Sequence, residues 1–295
     1  MRWPWTFIFL CSVLTVPVHA DERSASPFPK TAQFSFSWPT SNGEKNWDAT
    51  GNYSEPALQN RLPQLQNLYI RIFDRSAGEI PLLVVESPVA QYDNTNNQFA
   101  GADFIHVRGN LFTAVGGQWT FSGDERCLVL DGAVQVFLEI DGDTSLENAL
   151  AEGGRTAIGC QHLQIIASDY FLTLHFSRDV SLRSSELSLD SDELVLEIAR
   201  EEPMRILDQE FAGEAIRSLR AAGAVHVEWP TRSAMADGAQ IFPGEGVIFL
   251  SGNVSVLEEK GQIQCQELLF RSDRYHVAAE KGTGRWQDLQ FSSAN

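Results

Sequence analysis

The sequence has few cysteines, and their number limits the ways in which disulfides could hold the fold together. Four occur in 295 residues, and Cys11 lies in the apolar N-terminal run, so Cys127, Cys160 and Cys265 are left in the rest of the chain. Three is an odd number, so at most one intramolecular disulfide can form. This excludes a cysteine-stapled mini-fold. Each of the three lies in an alternating apolar run, which predicts a small core residue.

Positive charge is also scarce. The chain has 22 Lys and Arg against 39 Asp and Glu, for a net charge of −17. The first twenty residues hold one Arg and no acidic residue, so the remainder carries −18. Binding to phosphate backbones requires clustered Lys and Arg. The charge therefore predicts that nucleic acid is not a partner, and it disfavours an anionic membrane surface.

Motifs of the common catalytic and metal sites are absent from the sequence. There is no Gly-x-Ser-x-Gly elbow, no phosphate-binding loop and no His-Glu-x-x-His. Cys160 and His162 are predicted to share a strand face, but no second pair is spaced to complete a tetrahedral zinc site. We therefore expect a protein that is not an enzyme and has neither a metal nor a cofactor.

The only long apolar run lies at the N-terminus. Arg2 precedes WPWTFIFLCSVLTVPV, and Val18-His19-Ala20 places small residues just before Asp21. This pattern predicts an export signal over residues 1–20, followed by a polar, proline-containing linker over 21–30. An uncleaved inner-membrane anchor is the alternative, although Pro4 and Pro17 interrupt a run already at the short limit for spanning.

From Phe34 onward the main pattern is alternation of apolar and polar residues, which is typical of half-buried strands. In five places an apolar strand meets a break and then an aliphatic residue. These are Gly109-Asn110-Leu111, Gly132-Ala133-Val134, Arg178-Asp179-Val180, Gly223-Ala224-Val225 and Gly252-Asn253-Val254. Glycine inside a strand indicates a bulge or bend. The recurrence predicts a degenerate repeat of strand, corner and returning strand.

Two stretches depart from this pattern. Residues 141–155 (DGDTSLENALAEGGR) are acidic and contain glycine, which indicates a long loop or a joint between two sub-domains. Residues 208–222 fit the pattern of either a helix with one apolar face or a strand that leads into the corner at Gly223, and we favour the strand.

The last repeat resembles a known family. Residues 246–284, GVIFLSGNVSVLEEKGQIQCQELLFRSDRYHVAAEKGTG, are similar to the repeat of the OstA/LptA-like proteins of lipopolysaccharide transport. Gly252-Asn253-Val254 falls on the family's corner, whereas Cys265 and Gln266 replace its usual small residue and Asp. Residues 31–140, with SPVAQYD and FAGADFIHVRGN, are similar in outline to the LptC branch.

This resemblance implies an all-β, open β-jellyroll made of mostly antiparallel strands. It implies sub-domains at 31–140 and 156–295, with an apolar interior that holds the acyl chains of lipid A. It also implies a periplasmic location, and as partners lipopolysaccharide and either other transport proteins or further copies, joined by edge-strand addition.

Alternation selects the residues expected to line the interior and contact lipid. They are Val134, Val136, Val180, Leu182, Val225, Val227, Val247, Phe249, Val254, Val256, Ile263, Cys265 and Phe270. A one-residue error in register would invert each assignment. Arg271, Arg274 and Arg285 are either phosphate contacts or solvated surface residues. The alternative function is a structural or adhesive β-solenoid whose core is dry and filled by its own side chains.

Overall fold

The alternating pattern forms strands throughout the part of the chain that the structure describes. The computed structural model describes residues 32–39, 45–55, 62–73, 81–138, 156–168, 171–184, 187–200, 204–206, 209–211, 214–259, 261–271, 278–280 and 283–286. These residues belong to one compact unit, Thr31–Asn295. The predicted signal (1–20), linker (21–30) and joint (141–155) lie outside the described residues.

Nine strands precede the predicted joint. They are β1 (Ala32–Pro39), β2 (Lys45–Glu55), β3 (Gln64–Phe73), β4 (Pro81–Asp93), β5 (Gln98–Gly101), β6 (Ile105–Arg108), β7 (Phe112–Gly116), β8 (Trp119–Ser122) and β9 (Cys127–Leu138).

Eleven strands follow it. They are β10 (Thr156–Ala167), β11 (Phe171–Arg183), β12 (Ser188–Arg200), β13 (Met204–Ile206), β14 (Gln209–Phe211), β15 (Glu214–Trp229), β16 (Arg232–Phe242), β17 (Val247–Glu258), β18 (Gly261–Arg271), β19 (Ala278–Glu280) and β20 (Thr283–Trp286). One 3-10 turn, Pro243–Glu245, joins β16 to β17.

Eighteen of these strands form one antiparallel sheet, and β13 and β14 form a separate hairpin. Each strand pairs mainly with its neighbours in sequence, so the sheet is a meander. The short strands β5 and β6 both pair with β4, and β7 and β8 both pair with β9. The ladder between β9 and β10 makes the sheet continuous across the position of the predicted joint.

A line of β-bulges crosses the sheet and bends its strands. In β9, β11, β15 and β17, two residues of one strand oppose a single residue of the next strand. Left-handed backbone occurs at each site, as at Gly252 (φ 73°) and Asn253 (φ 49°). A bulge increases the local bend and twist. Because the four bulges are aligned, they form one corner that runs across the sheet.

A carboxylate packs against the corner in two of these rows. A Cβ atom built on Gly223 would lie 2.2 Å from Oδ2 of Asp192, and one on Gly252 would lie 2.4 Å from Oδ2 of Asp237. Asn253 also donates a hydrogen bond from Nδ2 to Asp237, at 2.9 Å. Glycine therefore suits both positions, because of its left-handed backbone angle and because of the close approach of the carboxylate.

The corner divides each long strand into two halves, which form two leaves. Leaf A includes the halves 89–93, 119–122, 127–131, 162–167, 172–177, 193–200, 215–222, 238–242, 247–251 and 267–271. Leaf B includes the halves 45–50, 81–86, 134–138, 156–160, 180–183, 188–190, 225–229, 232–236, 254–258 and 261–265.

Aromatic contacts show that the leaves face each other. Trp47 in leaf B meets Phe121 in leaf A edge-on at 5.6 Å, and Trp229 in leaf B lies 5.9 Å from Phe270 in leaf A. The apolar faces of both leaves are buried between them in one continuous core. We call the edge of this sandwich opposite the corner the rim.

The predicted fold class is confirmed: the described chain is all β, antiparallel and jellyroll-like. The part of 208–222 that is described forms strands. Four of the five predicted corners are bulges, but Gly109-Asn110-Leu111 is instead the turn between β6 and β7, where the Gly109 amide donates to the Phe112 carbonyl at 2.9 Å. Sequence alone did not separate a hairpin turn from a corner, since glycine suits both.

Candidate functional site

The apolar interior between the leaves is the candidate site, and most of the predicted lining residues face it. Eleven are buried, with 0–6% of their surface exposed. They are Val134, Val136, Val180, Leu182, Val225, Val227, Val254, Val256, Ile263, Cys265 and Phe270.

The predicted inward orientation of Val247 and Phe249 is wrong. Both are only partly buried, whereas Ile248 and Leu250 are buried in the core. The bulge at Gly252 inserts a residue into β17. As a result, the inward-facing residues of β17 follow the same alternation on both sides of the corner. The alternation changes instead in β18, where Cys265 and Leu268 both face inward.

The same geometry separates Cys160 from His162, which were predicted to share a face. The pairing of β9 with β10 shifts between these two residues, so Cys160 is buried while His162 lies on the outer surface. There its Nδ1 atom lies 2.7 Å from Oδ1 of Asp131. The described residues hold no group of three or more His, Cys, Asp or Glu side chains that could bind a metal ion.

The size of the inner side chains changes along the sheet. The largest fully buried residues, such as Trp47, Phe99, Phe121 and Phe176, belong to β2–β11. In β16 both inner positions beside the corner are small, and in β15 and β18 one of the two is small, while the other is Val225 or Leu268. The small residues are Ala221, Ala236, Ala239 and Cys265, with 5–6% of their surface exposed. We call these four residues the small-residue crease. Small side chains fill less of the volume between the leaves.

At the N-terminal end of the sheet, fully buried contacts join the leaves at the rim. Trp47 is fully buried, and its indole N–H donates to the Gly123 carbonyl at 3.1 Å. Nearby, the buried Arg126 donates a hydrogen bond from Nη2 to the carbonyl of Phe73 at 2.6 Å. These hydrogen bonds are removed from water, so opening the leaves here would break them without immediate replacement.

At the C-terminal end, a charged residue lies between the leaves. The Arg232 guanidinium carbon is 5.0 Å from the ring centre of Trp229 and 5.1 Å from that of Phe270. A cavity of about 420 Å³ lies beside it, lined by Glu228, Trp229, Thr231, Arg232, Ser233, Leu257, Glu258 and Glu259. This end of the rim is therefore closed by a stack that borders open space.

Sequence reasoning missed Trp47, Trp229, Arg232 and the alanines of the small-residue crease. Trp47 and the alanines follow the alternation of their strands, so the argument that selected the valines as inward-facing residues applied to them too. Arg232 gave no signal, because its position between two rings depends on the approach of the opposite leaf. The side chains of Arg271, Arg274 and Arg285 lie outside the described part of the chain.

The three cysteines are free and buried. Burial raises the pKa of the Cys160 thiol to about 11. An unfolded thiol loses its proton near pH 8.5. Between these values the unfolded chain binds fewer protons than the folded one. The contribution of Cys160 to the free energy of unfolding is therefore fully present below pH ~8.5 and is lost as the pH rises toward 11.

We therefore expect the free energy of unfolding to fall by up to ~1.4 kcal/mol per pH unit over this interval because of Cys160. Urea unfolding at pH 8, 9 and 10 measures this slope. In Cys160→Ala the slope should be shallower. Equal slopes in the two proteins would contradict the assignment.

Two findings complete the description of the site. Among the residues that the structure describes, no helix is long and apolar enough to cross a membrane. Compared with known proteins, the sequence matches no family model, and no curated protein shows significant similarity to it.

Proposed function

We propose that this chain is a non-catalytic, periplasmic lipid-binding protein that carries lipopolysaccharide between the inner and outer membranes. The proposal starts from the resemblance of residues 246–284 to the OstA/LptA-like repeat. The observation that carries it furthest is the folded sheet, in which two apolar faces oppose each other and the C-terminal end is lined by the small-residue crease.

Energetics favour recognition through acyl chains. Each buried methylene contributes ~0.8 kcal/mol, so a chain of about twelve methylenes gains roughly 10 kcal/mol before the entropy costs of binding. A chain with a charge of −18 beyond residue 20 is poorly suited to clamp phosphates over a wide surface. The sugars and phosphates of the ligand would therefore remain at the open edge, in water.

The edges of the sheet support the proposed assembly with transport proteins or further copies. Within the described residues, β1 pairs with β2 alone, and beyond β18 only the short strands β19 and β20 are paired. A strand that is paired on one side can accept another strand through its free backbone groups.

The rival function, a structural or adhesive protein with a dry core, is favoured by one observation. In the middle of the sheet most inner residues, including the predicted lining residues Val134, Val136 and Leu182, have at most 1% of their surface exposed. A lipid can occupy that region only if the leaves separate. Inner residues of β15–β18 such as Val225 and Val254 are equally buried, but the small-residue crease lies beside them, and for this reason we assign the acyl-chain site to β15–β18.

Photo-crosslinking in cells that make lipopolysaccharide tests the proposal. A photoreactive residue at Ile263, which is 4% exposed and faces inward, should form adducts with lipopolysaccharide. The same residue at Phe249, on the outer face of the neighbouring strand, is the matched control and should form none. If neither Ile263 nor Ala236 gives an adduct, the dry-core alternative is the better reading.

A further inference from the structure

The corner of the sheet is interrupted between β4 and β9. There residues 102–104 separate β5 from β6, and residues 117–118 separate β8 from the end of β7. β4 pairs with β6 over 84–86 and with β5 over 91–93, so in the described part of the chain its residues 87–90 pair with β3 alone. A cavity of about 470 Å³ lies at this interruption, and we call it the corner cavity. Its volume is in the range of small-molecule sites, ~300–1,000 Å³.

Half of the residues that line the corner cavity have polar side chains. They are Gln64, Gln91, Asp103, Gln118, Thr120 and Asp131, and none of the described lining residues is Lys or Arg. The amide groups both donate and accept hydrogen bonds, whereas the carboxylates only accept them. Two carboxylates in the lining disfavour phosphate and other anions. The lining therefore suits a neutral ligand that carries several hydroxyl or amide groups.

One of these carboxylates is held in place by neighbouring strands. Oδ1 of Asp131 lies 2.7 Å from Nδ1 of His162 and 4.0 Å from Nη1 of Arg178. The backbone amide of Asp131 donates to the carbonyl of Gln118 at 2.8 Å. An acceptor that is already fixed loses little conformational entropy when a ligand binds. Asp131 is thus a preorganised acceptor for a ligand hydroxyl.

Trp119 is the buried part of the lining. It is 3% exposed, and its indole nitrogen has no hydrogen-bond partner among the described residues. This nitrogen packs against Gly101, where a Cβ atom would lie 2.4 Å from it. A buried N–H without a partner costs free energy, and a ligand oxygen that reached it would relieve that cost. The wall of the corner cavity therefore has an unmet donor as well as the polar side chains on its surface.

The rest of the lining is small and apolar. Val89, Ala90, Ala100 and Ala102 contribute methyl or isopropyl groups. Together with the glutamines they match an acetamido group, which has a donor N–H, an acceptor carbonyl and a methyl. The amide of a glutamine can pair with the N–H and the carbonyl of such a group, while the alanines leave room for its methyl.

We propose that the corner cavity binds a neutral, N-acetylated saccharide. The sugar hydroxyls donate to Asp103 and Asp131, and the acetamido group pairs with the glutamine amides. This site goes beyond lipid carriage and does not rest on it. The corner cavity is lined by residues of β3, β4, β5, β8 and β9 and of the loops between them, whereas the acyl-chain site is assigned to β15–β18.

Isothermal titration calorimetry of the full chain with N,N′-diacetylchitobiose tests the site. We expect binding with a dissociation constant of about 1 mM or below. Cellobiose has the same linkage but lacks the acetamido groups, and it should bind roughly tenfold more weakly, because the hydrogen bonds of those groups are lost. Equal affinity for the two sugars, or no binding by the folded protein, would overturn the proposal.

Variants of the lining show whether the sugar binds in the corner cavity. Ala100 pairs with Gln91 and Thr120, so Ala100→Leu fills the space between them and should weaken binding tenfold or more, as about two lost contacts would. Gln91→Ala removes one amide and should weaken binding roughly fivefold, which keeps the test decisive if Ala100→Leu fails to fold. Gln135→Ala is the control, since Gln135 is an exposed glutamine of β9 outside the lining, and its affinity should equal that of the unmodified protein. Unchanged affinity in the folded lining variants would overturn the site. The lipid-carrier function would stand, because crosslinking at Ile263 tests it separately.

Discussion

Replacing Trp47 by alanine is expected to lower the free energy of unfolding by about 4–6 kcal/mol. Truncating a buried Trp typically costs ~3–5 kcal/mol, and the lost hydrogen bond adds ~1 kcal/mol. Trp47 has no exposed surface, it donates to the Gly123 carbonyl at 3.1 Å, and it packs edge-on against Phe99 and Phe121 at 5.8 and 5.6 Å. Its loss should therefore loosen the contact between the leaves. Urea unfolding measures the change.

Two comparisons show whether the position between the leaves is responsible. Phe104→Ala removes an aromatic side chain that is 70% exposed, and it should change stability by less than ~0.5 kcal/mol. Trp47→Phe keeps most of the volume but cannot donate to the Gly123 carbonyl, so it should cost ~1–3 kcal/mol. A loss in Trp47→Ala no larger than that in Phe104→Ala would mean that Trp47 does not hold the leaves together.

Replacing Ala239 by leucine is expected to weaken binding of an alkyl-chain ligand roughly tenfold or more. Ala239 faces inward in the small-residue crease and is 6% exposed. Leucine adds three carbon atoms to the space that we assign to the ligand. If it displaces even two methylenes of the chain, the lost burial is ~1.6 kcal/mol, which is more than a tenfold change in the dissociation constant. Equilibrium titration with a fluorescent single-chain polyene fatty acid measures the affinity.

The stability of the same variant distinguishes an unfilled crease from a packed one. If the crease has room, leucine fills it and the free energy of unfolding stays the same or rises. In a core that is already full, the added atoms should cost ~1–3 kcal/mol by overpacking. Gln240→Leu makes a similar change at the next residue, which faces outward and pairs with Phe249, and it should alter neither affinity nor stability by much. A destabilised Ala239→Leu with unchanged affinity would argue against a ligand at this position.

The sequence by itself determined the class of fold and most of the core. Period-two alternation has one physical cause, the pleat of a strand, so it identified the strands and the buried side of β9, β11 and β15. The repeated breaks also located four corners, since few residues other than glycine, asparagine and aspartate accept left-handed backbone. The functional proposal came from the same pattern, through the resemblance of the last repeat to the transport family.

Only the tertiary structure decided whether the alternation of inward-facing and outward-facing residues continues unchanged across the corner. Whether a strand keeps or changes its alternation depends on which member of a pair carries the bulge, and that is a property of two strands. Val247 and Phe249 were therefore assigned to the wrong side, while Phe270 was assigned correctly. The positions of Trp47 and Arg232 between the leaves also depend on the tertiary structure. Each contacts the opposite leaf at the rim, and residues far apart in sequence meet there only because the sheet folds back on itself.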